Sequence, residues 1–157
     1  MSRLLKILAF LTIGSVVAFF PLRWLIERSS PPPDNLGMVD GRFAPCPDSP
    51  NCVSTQATTE LHGIEPIAYD GDTSTAYAKI LAILEADDSI TVISQTSTYI
   101  HAEARSGLWK FIDDVEFQFN DAESIIQFRS ASRLGYSDLD ANRQRMENIR
   151  NAFMASP

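Results

Sequence analysis

Residues 98–119 read Thr-Tyr-Ile-His-Ala-Glu-Ala-Arg-Ser-Gly-Leu-Trp-Lys-Phe-Ile-Asp-Asp-Val-Glu-Phe-Gln-Phe, and this stretch decides the fold. Apolar and polar residues alternate on both sides of Ser106-Gly107, which predicts two half-buried strands joined by a turn. A two-residue turn there would pair Glu103 with Lys110, which are opposite charges. The stretch therefore predicts an antiparallel hairpin with one apolar face. The residues predicted to face the core are Ile100, Ala102, Ala104, Trp109, Phe111, Val115, Phe117 and Phe119.

The flanking sequence adds three strands and two helices. β-branched or alternating runs predict the strands, and apolar residues at helical spacing predict the helices, with Leu139 facing the core. The order β-α-β-β-β-β-α, with four consecutive strands joined by short turns, predicts an α+β fold. Two amphipathic helices would cover one face of an antiparallel sheet. The further strands are predicted at 64–69, 89–95 and 124–131, and the helices at 73–86 and 137–153.

The first 28 residues predict a membrane anchor. No charged residue occurs from Ile7 to Leu22, and a helix from Leu4 to Ile26 would be about 34 Å long. That length covers the roughly 30 Å hydrocarbon core of a bilayer. A cleaved signal peptide and a buried core helix are the alternatives. We interpret residues 1–28 as a signal-anchor of a single-pass cell-membrane protein whose domain faces the periplasm.

A proline-rich linker follows the anchor. Residues 29–34 read Ser-Ser-Pro-Pro-Pro-Asp, and consecutive prolines favour the semi-rigid polyproline II conformation. We interpret this linker as a plain spacer that holds the domain off the membrane. Residues 35–157 then form a single α+β domain that opens with a cysteine-containing loop and is long enough for one core.

The only two cysteines, Cys46 and Cys52, lie in this opening loop. Prolines at 47 and 50 exclude a helix or a central strand between them. The spacing does not match a zinc half-site or a thioredoxin-like centre. We interpret the pair as a structural disulfide, with two reduced thiols, or a metal or catalytic cysteine, as alternatives. A disulfide requires an oxidising compartment, which agrees with a domain outside the cell membrane.

The folded region is strongly acidic. From residue 31 onward, nine lysines and arginines oppose 19 aspartates and glutamates, which gives a formal charge of −10. Such a charge argues against nucleic-acid binding, and against adhesion to anionic lipid through charge alone. The sequence contains no phosphate-binding loop, dinucleotide fingerprint, zinc-protease motif or serine-hydrolase motif. We therefore predict no metal and no cofactor.

The outer parity of the sheet is the first candidate site. We interpret it as the solvated face of a one-sided antiparallel sheet. A binding face for a partner or an anionic small molecule is the alternative. Its predicted members are His101, Glu103, Arg105, Lys110, Glu116, Gln118, Gln127 and Arg129.

Asp113 marks the second candidate site. It lies on the core parity of its strand, where an apolar residue is expected, and a buried carboxylate needs partners. Arg129, Arg133, Asn142 and Arg143 follow in the sequence and are candidates for that role. One interpretation is a structural ion-pair network between the last strand and the last helix. The alternative is a pocket in which the arginines bind a ligand carboxylate or phosphate.

Several motifs carry a family resemblance. They are DNLG at 34–37, DGR at 40–42, CPDSPNCVS at 46–54, YIHAE at 99–103 with Arg105, FIDDVEF at 111–117, RSASR at 129–133, GYSD at 135–138 and NR at 142–143. Together they resemble the uncharacterised family known as domain of unknown function 1499, from about Asp34 to the C-terminus. Thr55 departs from the serine that is usual in the family. The resemblance implies a membrane-associated or exported protein of bacteria or plastids, and no established activity.

These features favour a non-enzymatic binding or scaffold module of the cell envelope, tethered to the membrane by its N-terminal helix. The expected ligand is an anionic small molecule or an envelope protein. A hydrolase that uses Cys52 or His101 with Asp113 or Asp114 is the enzymatic alternative. The third hypothesis is a structural envelope protein that docks a membrane partner through its sheet face.

Overall fold

The computed structural model describes residues 3–155, which form three helices and six strands. The predicted order β-α-β-β-β-β-α is confirmed, preceded by the apolar N-terminal helix and one additional strand. The elements are α1 (Arg3–Arg28), β1 (Cys52–Ser54), β2 (Ile67–Ala68), α2 (Thr73–Glu85), β3 (Ile90–Gln95), β4 (Tyr99–Arg105), β5 (Ile112–Asn120), β6 (Ile125–Ser132) and α3 (Ala141–Ala155).

The six strands form one antiparallel sheet in the order β1-β6-β5-β4-β3, and β2 pairs with another part of β6. Strands β3 to β6 form a meander, because each pairs with its neighbour in the sequence. The α+β class with an antiparallel sheet is therefore confirmed.

Helices α2 and α3 pack together against one face of the sheet. The carboxylate of Asp72 accepts the backbone N–H of Thr75 at 2.9 Å and so caps the start of α2. Apolar residues at helical spacing on both helices then meet the apolar parity of the strands. The core contains Ile80, Leu84, Ile100, Ala102, Val115, Phe117, Phe119, Ile126, Phe128, Met146, Ile149 and Phe153.

The β4–β5 hairpin has the predicted parity but a different register. Arg105 pairs with Ile112 rather than with Leu108, and Glu103 pairs with Asp114. The predicted two-residue turn is therefore wrong, because six residues separate the strands. The register shift is four residues, an even number, so the predicted alternate residues of both strands still face the core.

The loop at 106–111 has its own hydrogen bonds. The backbone N–H of Ser106 donates to the carbonyl of Phe111 at 2.9 Å, and the Phe111 N–H donates to the Ser106 hydroxyl at 2.9 Å. Lys110 adopts a left-handed backbone conformation with φ 58°. Trp109 and Phe111 lie in this loop, and so the prediction that they face the core is wrong.

One strand was not predicted, and one prediction about the last helix is wrong. Strand β1 continues directly from the cysteine loop, and its Val53 pairs with Ser130 of β6. Leu139 does not face the core, because α3 begins only at Ala141 and the Leu139 side chain is 87% exposed. The shared reason is that long-range pairing and capping, rather than local pattern, determine these positions.

The outer face of β4, β5 and β6 is largely buried, and so the prediction of a solvated face is wrong for these strands, whereas Thr91 and Ser94 on the outer face of β3 are exposed. Residues 30–37, hereafter the proline segment, cover part of it. The Nη1 group of Arg133 donates to the Ser30 carbonyl at 3.1 Å, and the Gly37 N–H donates to Glu116 Oε1 at 2.7 Å. Both ends of the segment are thus hydrogen-bonded to the sheet. The segment is therefore part of the folded structure rather than a free spacer.

Candidate functional site

Charged side chains form a connected network on the outer face of the sheet. The register of β4, β5 and β6 brings them together, since residues two apart along a strand share a face. Glu116 lies directly opposite Arg129, for example, and is 0% exposed. We call this group the outer-face network. It consists of Tyr99, His101, Glu103, Arg105, Asp114, Glu116, Arg129 and Arg133.

Arg133 lies at the centre of the outer-face network. Its Nε and Nη2 donate to the two carboxylate oxygens of Asp114 at 2.8 and 2.7 Å, which is the bidentate geometry of a strong ion pair. Its Nη2 also donates to Glu103 Oε1 at 2.6 Å, and its Nη1 to the Ser30 carbonyl. Arg133 therefore links two strands to the proline segment.

Asp114 is held in its charged form. Burial alone would raise its pKa, but hydrogen bonds from Arg133 and His101 outweigh burial and hold the pKa below its ordinary value. The hydrogen bond to Asp114, against the opposing effect of burial, raises the pKa of Arg133. His101 Nε2 lies 2.8 Å from Asp114 Oδ1. The side chains of Asp114, Arg133 and His101 thus form a buried, hydrogen-bonded cluster.

Glu116 is the second centre of the outer-face network. Its Oε1 accepts the Tyr99 hydroxyl at 2.8 Å and the Gly37 N–H at 2.7 Å, and its Oε2 accepts Arg129 Nη1 at 3.2 Å. Burial, together with the charge of Glu116, raises the pKa of Tyr99. Glu116 therefore has the partners that a fully buried carboxylate requires.

Arg129 is less well satisfied than Arg133. Its side chain donates a single hydrogen bond, from Nη1 to Glu116. Its Nε is buried and has no acceptor among residues 3–155. A guanidinium carries five N–H donors, and buried donors are nearly always paired. Arg129 is thus a 6% exposed cation with unused hydrogen-bonding capacity.

A small cavity adjoins Arg129 and Arg133. Its volume is about 160 Å³, similar to the roughly 150 Å³ cavity that holds benzene in an engineered protein. The proline segment and the cysteine loop form one wall, and β5, β6 and Arg133 form the other. Its lining residues are Pro31, Pro33, Asn35, Pro47, Asp114, Arg129, Ala131, Ser132 and Arg133.

Asp113 lies on the opposite face of the sheet, where it is buried as its parity predicts. Its Oδ2 accepts Arg145 Nη2 at 2.6 Å. Arg145 Nη1 also donates to Asn142 Oδ1 at 2.8 Å and to Ser130 Oγ at 3.1 Å. This arrangement agrees with a structural network between the last strand and the last helix, with Arg145 as the cation.

Asn142 belongs to the same polar network on the core face. We call this group the core-face network, and it consists of Asp113, Ser130, Asn142 and Arg145. Its Nδ2, which has two hydrogens, lies within hydrogen-bond distance of three acceptors, the Asn51 carbonyl at 3.1 Å, Ser132 Oγ at 2.9 Å and Asp138 Oδ2 at 2.7 Å. Its Oδ1 accepts the Ser130 hydroxyl at 2.5 Å. Asn142 therefore ties β6, α3 and the end of the cysteine loop together, and has no capacity left for a ligand.

The structure does not bring the predicted Asp113 site together. Asp113 and Asn142 lie on the core face, whereas Arg129 and Arg133 lie on the outer face of the same sheet. Arg143 lies apart from both and donates to the carbonyls of Gly63 and Leu61 at 2.9 and 3.1 Å. The reason is that successive side chains of a strand point to opposite faces of the sheet, so that Arg129 and Ser130 lie on different sides.

The structure brings together five of the eight predicted sheet-face residues, whereas Lys110 lies in the β4–β5 loop, and Gln118 and Gln127 lie outside the outer-face network. His101, Glu103 and Glu116 are buried in the outer-face network, while Arg105 lies at its exposed edge. Arg105 donates to Glu103 Oε2 at 2.6 Å and lies 3.7 Å from Glu27 of α1. A partner that docks on this face would have to displace the proline segment or bind at its edge.

The residues of the hydrolase alternative are only partly brought together. Cys46 and Cys52 form a disulfide, and a disulfide-bonded sulfur cannot act as a thiolate nucleophile. His101 contacts Asp114 but not Asp113, which lies on the other face. Among residues 3–155, no cluster of three or more His, Cys, Asp or Glu side chains is arranged to hold a metal ion.

Sequence reasoning missed Arg145 and the proline segment. Arg145 lies three residues after Asn142 in α3, a spacing that places both on one helix face and was a usable signal. No local signal shows that Ser30 and Gly37 lie on the sheet, because their partners are 103 and 79 residues away in the sequence.

Comparison with known proteins identifies the family of the chain. Its family model, described as Protein of unknown function (DUF1499), matches residues 42–153, which include the disulfide and both polar networks. Comparison with curated proteins found no match. Since the family model covers most of the sequence, the chain belongs to the family described as Protein of unknown function (DUF1499).

Proposed function

We propose that this chain is a membrane-tethered, exported binding module whose ligand site is the cavity beneath the proline segment. The observation that carries the proposal is Arg129, a buried cation that lines this cavity and makes one hydrogen bond. Charged groups are rarely buried without full pairing, because the loss of hydration is costly. A ligand acceptor oxygen in the cavity would give the Arg129 guanidinium a further hydrogen-bond partner.

The membrane tether is supported by α1. Residues Phe10–Arg28 are long and apolar enough to cross a bilayer, with a mean hydropathy of 1.5. The length and composition of this segment fit a membrane anchor or a signal sequence. The Cys46–Cys52 disulfide favours an oxidising compartment for the domain. In our proposal α1 is retained and the domain faces the periplasm.

A binding role fits the outer-face network better than a catalytic role. Asp114 is ion-paired through both carboxylate oxygens and has a lowered pKa, which makes it a poor proton carrier near neutral pH. His101 is bonded to this carboxylate and is buried. Asp114 is thus arranged to stay charged and fixed in position, as in a recognition site.

Charge limits the ligand. Arg129 and Arg133 are already neutralised by Glu103, Asp114 and Glu116. With Arg105, which pairs with Glu103, the network holds three arginines and three carboxylates. A doubly charged phosphate would add two negative charges to this balanced, buried face, whereas a monocarboxylate would add one and a neutral amide none. The cavity volume admits a group of about benzene size. We therefore propose a small carboxylate group as the ligand class.

The test uses acetate as the probe, with acetamide and inorganic phosphate for comparison. Binding to the detergent-solubilised full chain is measured by saturation-transfer NMR for acetate and acetamide, and by a phosphorus line-width titration for phosphate. We expect acetate to bind and phosphate to bind more weakly. The decisive variant is Arg129→Lys, which keeps a cation opposite Glu116 but removes the guanidinium donors.

Arg143→Lys is the matched control, because it makes the same change away from the cavity. We expect it to leave the acetate signal unchanged, while Arg129→Lys and the cavity-narrowing Ala131→Val reduce it. Circular dichroism checks that each variant is folded. The proposed site would be contradicted if the wild-type chain bound neither acetate nor acetamide. It would also be contradicted if Arg129→Lys bound acetate as well as the wild type does.

A further inference from the structure

The β4–β5 loop exposes apolar side chains beside the N-terminal helix. Leu108 is 62% exposed, and Phe111 is also exposed. The Trp109 ring lies 5.3 Å from the Phe19 ring of α1, centroid to centroid. An apolar loop tip of this kind is unusual on a soluble surface and needs an apolar neighbour. Its position beside α1 indicates which neighbour that is.

Two contacts fix the direction of the hairpin along α1. Arg105, at the base of the loop, lies 3.7 Å from Glu27 near the C-terminal end of the helix. Trp109, near the tip, contacts Phe19. Eight residues separate Phe19 and Glu27, or about 12 Å along a helix axis. The hairpin therefore runs along α1 from the charged end toward its apolar part.

The position of the loop along α1 sets its depth in a bilayer. In a membrane-spanning α1, Arg28 and Glu27 would lie among the headgroups, where polar layers are roughly 5–7 Å thick on each side. With Glu27 at the outer edge of this layer, Phe19 would lie about 5–7 Å inside the hydrocarbon boundary. Trp109 contacts Phe19 and would lie near this depth, close to the interface in which tryptophan is enriched. The adjacent Lys110 has a long aliphatic stem that lets an ammonium group reach the headgroups.

We infer that the β4–β5 loop inserts its Leu108-Trp109 tip into the membrane interface beside α1, as a second membrane contact of the domain. The inference rests on the proposed membrane tether. The contact is apolar rather than electrostatic, because the folded region carries a formal charge of −10 and anionic headgroups would repel it. The partner is thus the hydrocarbon boundary of a bilayer, including a neutral one.

The two tryptophans of the chain, Trp24 and Trp109, provide matched reporters. The full chain is reconstituted into phosphatidylcholine vesicles that contain spin-labelled lipids, with the label at a shallow or a deep acyl position. Trp24→Phe leaves Trp109 as the reporter of the loop. Trp109→Phe leaves Trp24 as the reporter of α1. Circular dichroism confirms that both variants are folded.

We expect Trp109 emission to shift to shorter wavelength in vesicles, to be quenched more by the shallow label than by the deep one, and to resist aqueous iodide. If Trp24 is quenched by lipid while Trp109 is quenched only by iodide, the loop inference is overturned and the tether stands. If lipid quenches neither, the tether fails as well. A Trp109 shift that depends on protein concentration, without lipid quenching, would indicate a second copy of the chain and overturn the inference.

Discussion

Arg133→Met tests whether the outer-face network holds the fold together. Methionine keeps the apolar stem of arginine, but it lacks the guanidinium group and so removes four hydrogen bonds, which go to Asp114, Glu103 and Ser30. Glu103 keeps a bond to Arg105. Asp114 keeps only His101 as a side-chain partner and becomes a buried carboxylate without a permanent cation.

The expected loss of stability is large. Removal of one partner of a buried ion pair costs about 3–5 kcal/mol, because the remaining charge stays desolvated. The side chains of Arg133 and Asp114 are 4% and 2% exposed, so solvent screening does not reduce this cost. Domains are usually stable by only about 5–15 kcal/mol. We therefore expect the free energy of unfolding to fall by about 4 kcal/mol at neutral pH.

The pKa of Asp114 determines how the stability loss of Arg133→Met changes with pH. The folded-state pKa of Asp114 is lowered, so its ionisation contributes stability above its unfolded pKa of about 4 and loses that contribution as pH falls toward the folded value. Without Arg133, burial is the dominant influence and raises the pKa of Asp114. The deficit of the variant should therefore be greatest at neutral pH, begin to shrink as the pH falls to the raised pKa of Asp114 in the variant, and continue to shrink down to the lowered pKa of Asp114 in the wild type.

The assay is urea unfolding of the detergent-solubilised full chain, followed by far-ultraviolet circular dichroism at several pH values. Arg105→Met is the matched control, because Arg105 bonds to the same Glu103 but its side chain is 34% exposed. Exposed ion pairs contribute about 0–1 kcal/mol. A deficit for Arg133→Met that equals the control, or that does not change with pH, would refute a stabilising role for the buried pair.

Two further predictions concern the cysteine loop and the core-face network. Replacement of Cys46 and Cys52 by serine opens a seven-residue loop and should lower the free energy of unfolding by about 2 kcal/mol in the same urea assay, whereas an unchanged value would show that the crosslink does not stabilise the domain. Asn142→Leu leaves several buried partners unpaired and should cost about 3 kcal/mol. The exposed Asn148→Leu is its control, and equal effects of the two changes would contradict the importance of the Asn142 bonds.

The sequence was most informative in the helices and strands whose structure follows from the local spacing of apolar residues. Alternation in β4 and β5 identified the two faces of the sheet correctly, and it singled out Asp113 as a buried carboxylate, although Arg145, the cation that binds it, was not among the predicted partners. The apolar spacing of α2 and α3 likewise identified most of the core. Such patterns are readable because burial on one face imposes them on neighbouring residues.

Long-range contacts were much less readable. The three residues of β1 follow a proline-containing loop and form a strand only because β6 offers them an edge. Residues 30–37 have the composition of a linker, yet Ser30 and Gly37 bind side chains of the sheet. Nothing within either segment identifies its partner. The burial of the outer face therefore could not be predicted from its charged composition, which resembles that of a solvated surface.

The error in the hairpin register hid the signal that would have revealed this burial. In the predicted register Glu103 faces Lys110, an ordinary surface pair. In the actual register Glu103 faces Asp114, and directly opposed like charges destabilise a sheet unless a cation lies between them. Arg133 is that cation, since its Nη2 lies 2.6 Å from Glu103 and 2.7 Å from Asp114. The six-residue loop thus sets the register that places Glu103 opposite Asp114, and Arg133 bridges the two carboxylates.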